Sequence, residues 1–300
     1  MRLVSTRIAE VGHGIKLTYL DVGTGPPVVL VHGSCTNYES WESTVGPFSE
    51  RGFRAVSYSR RCSTPNNNPG DIRQDTIPNN AEDLAGLIEV LGIKPAHVVG
   101  LSRGGEIAIY FAHKHQDMLR TLTLIEAPVA AAIGLDDATS RSKVLLFFLS
   151  HPRTSMMLRG FLGTLKPAMK ALNRGDSTGA ARAMWDSVLG PGAFDKFPES
   201  RKKRIVDNIS ELHQFDYPEI GMTSYRLTSD EIRKITVPTL IMGGENTHPV
   251  YKRMNDSLLK TIPKSEEAII PGKGHGSPIE NPESIPMVLA FLDKHSNHGS

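Results

Sequence analysis

The sequence predicts an α/β fold, an eight-stranded and mostly parallel doubly wound sheet with a helical cap inserted late in the chain. Three observations carry it. Short runs that are apolar on both faces alternate with helical patterns, the arrangement of a parallel sheet covered by helices on both sides. Six such runs can be counted, and two runs of alternating polarity before them bring the strands to eight. Between about 128 and 233 the alternation stops, and only helical segments punctuated by Gly and Pro remain.

The elements follow in order. "LVSTRIAEV" (3–11) and "IKLTYLDV" (15–22) flank "GHG" and alternate in polarity, as a half-exposed hairpin should. After the turn "GTGPP" come "VVLVHG" (28–33), "RAVSYS" (54–59), "HVVGLS" (97–102), "TLTLIEA" (121–127), "TLIMGG" (239–244) and "EEAIIPG" (266–272). Helical patterns cover about 39–50, 80–91, 103–115, 250–261 and 282–294. The clearest, "NNAEDLAGLIEVLG", has Asn80 as a candidate cap and Gly92 at its stop. The expected core domain therefore comprises 1–127 and 234–296, the cap 128–233, and 297–300 a disordered tail. Within the cap, Phe147, Phe148, Met156, Met157, Leu158, Phe161 and Trp185 are candidates to line an apolar pocket. Phe147 and Met157, together with Trp41 from the core, are taken as substrate-binding residues.

Composition excludes several classes of function. Thirty-four basic against thirty-two acidic side chains give a net charge of +2. The local run "RKKR" (201–204) lies in a helical pattern and reads as a solvated face, so no nucleic-acid or acidic-membrane partner is expected. Cys35 and Cys62 are too few for a disulfide framework and lack metal-ligand spacing, which points to a reducing, cytoplasmic setting. The sequence has no signal-peptide pattern at its start and no run of about eighteen apolar residues.

The stretch "VVGLSRGG" (98–105) carries the chemistry. Glycine weakens a strand, so three of them around Ser102 require a steric reason. Gly100-Leu101-Ser102-Arg103-Gly104 is G-x-S-x-G between an apolar strand and a helical pattern. In that context the serine occupies a strained turn that lifts its Oγ clear of the sheet as a nucleophile.

With "VVLVHGSCTNYESW" (28–41), "VPTLIMGGENTHP" (237–249) and "IPGKGHGSPIENPE" (270–283), this motif makes the chain resemble the α/β-hydrolase superfamily over nearly its whole length. The resemblance implies an active site at the carboxyl ends of the strands and a cap after the sixth strand. It assigns the general base to His275, with His248 as the nearest rival. It places oxyanion donors at the backbone N–H groups of Ser34, after "HG", and of Arg103, after the nucleophile. One departure stands out: the loop after the seventh strand, "GGENTHP", offers Asn246 or Thr247 where most members carry aspartate. A minority carries the acid at the end of the sixth strand, where this chain has Glu126, and Glu245 is the competing carboxylate.

The expected activity is therefore a serine hydrolase cleaving a small, largely apolar ester, lactone or related acyl compound. Ser102 is nucleophile, His275 base and Glu126 acid, and no cofactor or metal is required. Carbon–carbon bond hydrolysis or cofactor-free perhydrolysis on the same triad is an alternative, as is a receptor-like ligand-binding role with little turnover.

Overall fold

The computed structural model describes residues 5–66, 68, 72–136, 140–215, 225–275 and 283–296. The expected tail at 297–300 lies outside them. Strands β1 (Arg7–Glu10) and β2 (Lys16–Val22) pair antiparallel around a turn in which Gly12, His13 and Gly14 all have positive φ. They are followed by β3 (Pro27–Val31), β4 (Arg54–Tyr58), β5 (Ala96–Leu101), β6 (Leu119–Ile125), β7 (Thr239–Gly244) and β8 (Ser265–Ile270). The eight strands form one sheet in the order β1-β2-β4-β3-β5-β6-β7-β8. From β4 to β8 every neighbouring pair is parallel, and β2 joins β4 antiparallel.

Every residue of β5 and of β7 is buried, as strands covered on both faces must be. The period of two divides the side chains between two cores. Val29, Val31, Val98 and Leu122 pack with α2 (Ile77–Val90), α3 (Arg103–Lys114) and α9 (Pro249–Thr261). Val28, Leu30, Val99 and Met242 pack on the other face with α1 (Glu42–Glu50) and α10 (Ser284–His295). Helix α2 begins one turn earlier than its apolar pattern suggests. The side chain of Thr76 accepts the Asn79 N–H as the cap, and Pro78 occupies the first turn, where no N–H is needed. Asn80 is not the cap; its side chain donates to Asp75 Oδ1 at 2.7 Å.

Between β6 and β7 lie α4 (Arg141–Ser150), α5 (Pro152–Leu172), α6 (Ser177–Leu189), α7 (Glu199–Asp207) and α8 (Ser229–Arg233), with a 3₁₀ segment at Ile209–Phe215. α5, α6 and α7 share a small core of Ala168, Ala180, Ala181 and Ile205, which also receives Cys35 from the loop after β3. This contact joins the helical layer to the loop at the carboxyl end of β3, as do hydrogen bonds from Asn208 to Thr64 and from Arg60 to Glu211. Among the described residues no helix is long and apolar enough to cross a membrane.

Candidate active site

Ser102 is the one residue between the end of β5 and the start of α3, at φ 50° and ψ −120°. For a residue with a Cβ this is strained backbone, of order 1–3 kcal/mol, and it persists because the surroundings fix it. The Ser102 N–H donates to Ile125 O at 2.8 Å, while Ser102 O accepts from Gly105 N–H (2.8 Å) and Glu106 N–H (3.1 Å). The flanking glycines have the steric reason their sequence demanded. A Cβ on Gly100 would collide with the Gly104 backbone, one on Gly104 with the carbonyls of Val31 and His32, and one on Gly105 with Ala127. The strand-to-helix turn therefore exists only without those side chains.

Glu126 follows the last residue of β6, again at positive φ (48°), and is 1% exposed. Its N–H donates to Met242 O at 3.0 Å, and its Oε1 accepts the Gly244 N–H at 3.0 Å, so both backbone and carboxylate are anchored on β7. The remaining oxygen, Oε2, meets Nδ1 of His275. Glu245 lies elsewhere: it is exposed, and its Oε2 accepts the Gly272 N–H at 2.8 Å. Asn246 is exposed too. His248 caps α9, where its Nδ1 accepts the Val250 N–H, and its ring lies against Phe161. Burial lowers its pKa.

His275, Ser102, Ser34 and Arg103 all border one cavity. So does Tyr251 of α9, which sequence reading missed. Its ring stacks on the His275 imidazole, with centroids 4.5 Å apart and planes at 25°, and its hydroxyl hydrogen-bonds with Ser102. Burial holds the phenol proton far above its ordinary pKa. Nothing local marks this tyrosine, because its partners come from the turn after β5 and from the loop after β8.

The loop after β3 is fastened by His32, which is fully buried. Nε2 of His32 faces the Arg60 N–H at 3.0 Å and must accept there, so the proton is on Nδ1, which donates to Gly33 O at 2.8 Å. Burial, with Arg60 nearby, lowers its pKa well below the usual value and keeps the ring neutral.

The apolar wall of the cavity matches the expected one in part, and the three residues singled out for substrate binding are not in it. Trp41 is 1% exposed and belongs to the core beneath the sheet with Val45 and Phe48. Phe147 packs into the other core and stacks on His151. Met157 is half-buried and does not border the cavity. Of the other expected cap residues, Leu158, Phe161 and Trp185 border the cavity and Phe148 and Met156 do not; Leu158, Phe161, Leu162 and Leu165 of α5 face it, with Met184, Trp185 and Val188 of α6 and Val250 and Met254 of α9. The spacing 158/161/162/165 is one helical stripe, and Met157 is a single residue out of phase with it. The denser apolar run of α4 misleads because Leu145, Leu146 and Leu149 are exposed.

One turn along α3 from Ser102, Glu106 enters the same cavity, 2% exposed, and accepts the Tyr225 hydroxyl at 2.8 Å. Burial pushes its carboxyl up from 4.5 to about 7. Between those values the folded chain keeps a proton that the unfolded chain has lost. Stability therefore falls as pH rises through that window, by about 3 kcal/mol for one such group. In Glu106→Gln this contribution is absent, so the variant should gain on the wild type from pH 4.5 to pH 8. Urea unfolding across that range checks it, and a constant difference would refute it.

Comparison with known proteins agrees with this architecture. The family model described as "alpha/beta hydrolase fold" matches residues 26–282. A putative non-heme chloroperoxidase of Synechocystis sp. is 26% identical over 93% of this chain and 95% of its own length. A bifunctional esterase/perhydrolase of Acinetobacter calcoaceticus is 25% identical over 93% and 96%. Among solved structures, a thermophilic esterase from Thermogutta terrifontis superposes with a TM-score of 0.71 at 24% identity, covering 97% of this chain and 99% of that one. With the strand order, the strained serine turn and this match over most of its length, the chain belongs to the α/β-hydrolase family.

Proposed function

We propose that the protein is a serine hydrolase of small, largely apolar carboxylic esters or lactones, working through an acyl-enzyme. The observation that carries this reading is the contact of Glu126 Oε2 with His275 Nδ1 at the rim of the cavity that holds Ser102. A carboxylate there fixes the proton on Nδ1 and leaves Nε2 free to take the Ser102 proton. Oγ then bonds to the acyl carbon, and the charge gathers on the former carbonyl oxygen. The N–H groups of Ser34 and Arg103 are assigned to that oxyanion. The Nε2 proton passes to the leaving alkoxide, and water, deprotonated by His275, releases the acid and regenerates Ser102. The α5–α6–α9 wall would take the acyl chain.

The test is a panel of p-nitrophenyl esters of graded acyl length beside a set of lactones, with fluorophosphonate labelling of the purified protein. Turnover together with label on Ser102 supports the reading; no turnover and no label would favour a ligand-binding role. The wall makes a finer prediction. Phe161→Ala opens space beside Tyr251, against which Phe161 packs edge-on at 5.4 Å. The ratio of kcat/KM for long over short acyl chains should rise by about 10-fold, the scale of one or two methylenes in an apolar pocket. Equal losses at every chain length would tell against the lining role.

A further inference from the structure

We propose that Glu211, in the 3₁₀ segment of the cap, is a positioning residue that holds the two backbone segments assigned to the oxyanion hole in place. The inference rests on the serine hydrolase reading above and names a residue outside its triad.

Glu211 is 5% exposed, and its two carboxylate oxygens reach two different parts of the core. Oε2 accepts the N–H of Cys35 at 2.7 Å, across 176 residues of sequence. Cys35 directly follows Ser34 and sits at φ 55°, a left-handed conformation that costs a residue with a Cβ about 1 kcal/mol or more. A charged acceptor on its N–H is the kind of bond that can hold such a geometry. Oε1 accepts from Arg60 Nη2 at 2.7 Å and lies 3.2 Å from Arg103 Nε. Arg103 supplies the second assigned donor through its backbone, and Arg60 Nη2 also donates to Gly33 O at 3.3 Å. One cap carboxylate thus touches the Ser34–Cys35 segment, the residue after the nucleophile, and the arginine that braces Gly33.

The charges explain why a carboxylate is kept here. Arg60 and Arg103 are 0% and 2% exposed, and Asp75, 1% exposed, pairs with both, while the Glu106 carboxyl near them is pushed up by burial. The two guanidinium groups are matched in charge by the Asp75 and Glu211 carboxylates they pair with. Such a set is seldom more stabilising than apolar packing of the same volume, so its presence calls for a role other than stability. What it does here is fix backbone positions on either side of the cavity. The Cys35 side chain, fully buried in the cap's own core, sets the same loop from the other direction.

Glu211→Asp keeps the charge balance but withdraws the carboxylate by one methylene, so it cannot reach Cys35 N–H and Arg60 together. Glu211→Gln keeps the reach but must turn an N–H₂ donor toward either Cys35 N–H or the guanidinium groups. The expected results are a folded Glu211→Asp with kcat down about 10-fold and a Glu211→Gln down about 100-fold, the scale of a misplacement near 1 Å, with KM within a few-fold of wild type. Affinity for a trifluoromethyl ketone, whose adduct places an oxyanion in the same site, should fall in step with kcat/KM in both variants. A merely structural carboxylate would lower the melting temperature without that parallel. Wild-type kcat and ketone affinity in either folded variant, or a fall in kcat with unchanged ketone affinity, overturns the inference alone. A wild-type protein that neither turns over esters nor takes the fluorophosphonate overturns the hydrolase reading and this inference with it.

Discussion

Ser102→Ala should yield a folded protein with ester turnover reduced by up to about 10⁶, the scale seen when a triad nucleophile is removed. The fold survives because the turn is set by backbone: Ser102 N–H on Ile125 O, and Ser102 O on Gly105 and Glu106. Alanine occupies φ 50° no less well than serine does. Among the described residues, the side-chain hydrogen bond lost is that with the Tyr251 hydroxyl, at a cost of about 1 kcal/mol. On the proposed mechanism, activity in contrast loses the acyl-enzyme, and what remains is the binding and electrostatic contribution of the site. Mass spectrometry after fluorophosphonate treatment should show an adduct on the wild type and none on the variant. Retention of more than a few per cent of activity in protein free of host esterase would mean that Ser102 is not the nucleophile.

The parts of this molecule legible in its sequence are those whose cause is local. Eight strands could be counted because runs such as Ala96–Leu101 and Thr239–Gly244 are apolar on both faces, and only a covered sheet tolerates that. The glycines around Ser102 could be read as close approaches because their only alternative was an unexplained entropy cost. The cavity wall could not be read in the same way. Phe147 and Leu158 are equally apolar, and which of them meets the cavity depends on how α4 and α5 dock, a tertiary fact. The stripe 158/161/162/165 was available as periodicity, yet periodicity alone cannot say whether a face meets a core or a void. Tyr251 and Glu211 are further out of reach. Each meets its partners across 24 to 176 residues of chain, through a stacked ring, a hydroxyl or a carboxylate whose partners are set by topology. The start of α2 failed for a smaller reason: Thr76 lies outside the apolar repeat, and Asn80 is a good cap residue inside it.

Glu126→Gln should cost up to about 10⁴ in turnover, while Glu245→Gln should be near normal. The size of the first effect follows from where each oxygen points. Oε1 of Glu126 accepts the Gly244 N–H at 3.0 Å, a buried donor that must keep an acceptor. In the glutamine variant the carbonyl oxygen is therefore held toward Gly244, and the amide N–H₂ is turned toward His275 Nδ1, where Oε2 now sits. Facing a donor, Nδ1 must accept, which moves the imidazole proton to Nε2. That is the nitrogen required to take the proton from Ser102, so the base is lost through its tautomer although the shape of the site is kept. It follows that Glu126→Ala, which removes the carboxylate without presenting a donor, should be no worse than the isosteric glutamine variant, against the usual order for truncation and isostere. Glu245 has no such leverage, since its carboxylate holds the Gly272 N–H at the surface. Steady-state kinetics of the three variants, with circular dichroism to establish folding, decides the matter. A crippled Glu245→Gln beside a near-normal Glu126→Gln would place the acid after the seventh strand, and an alanine variant far less active than the glutamine one would refute the tautomer argument while leaving Glu126 as the acid.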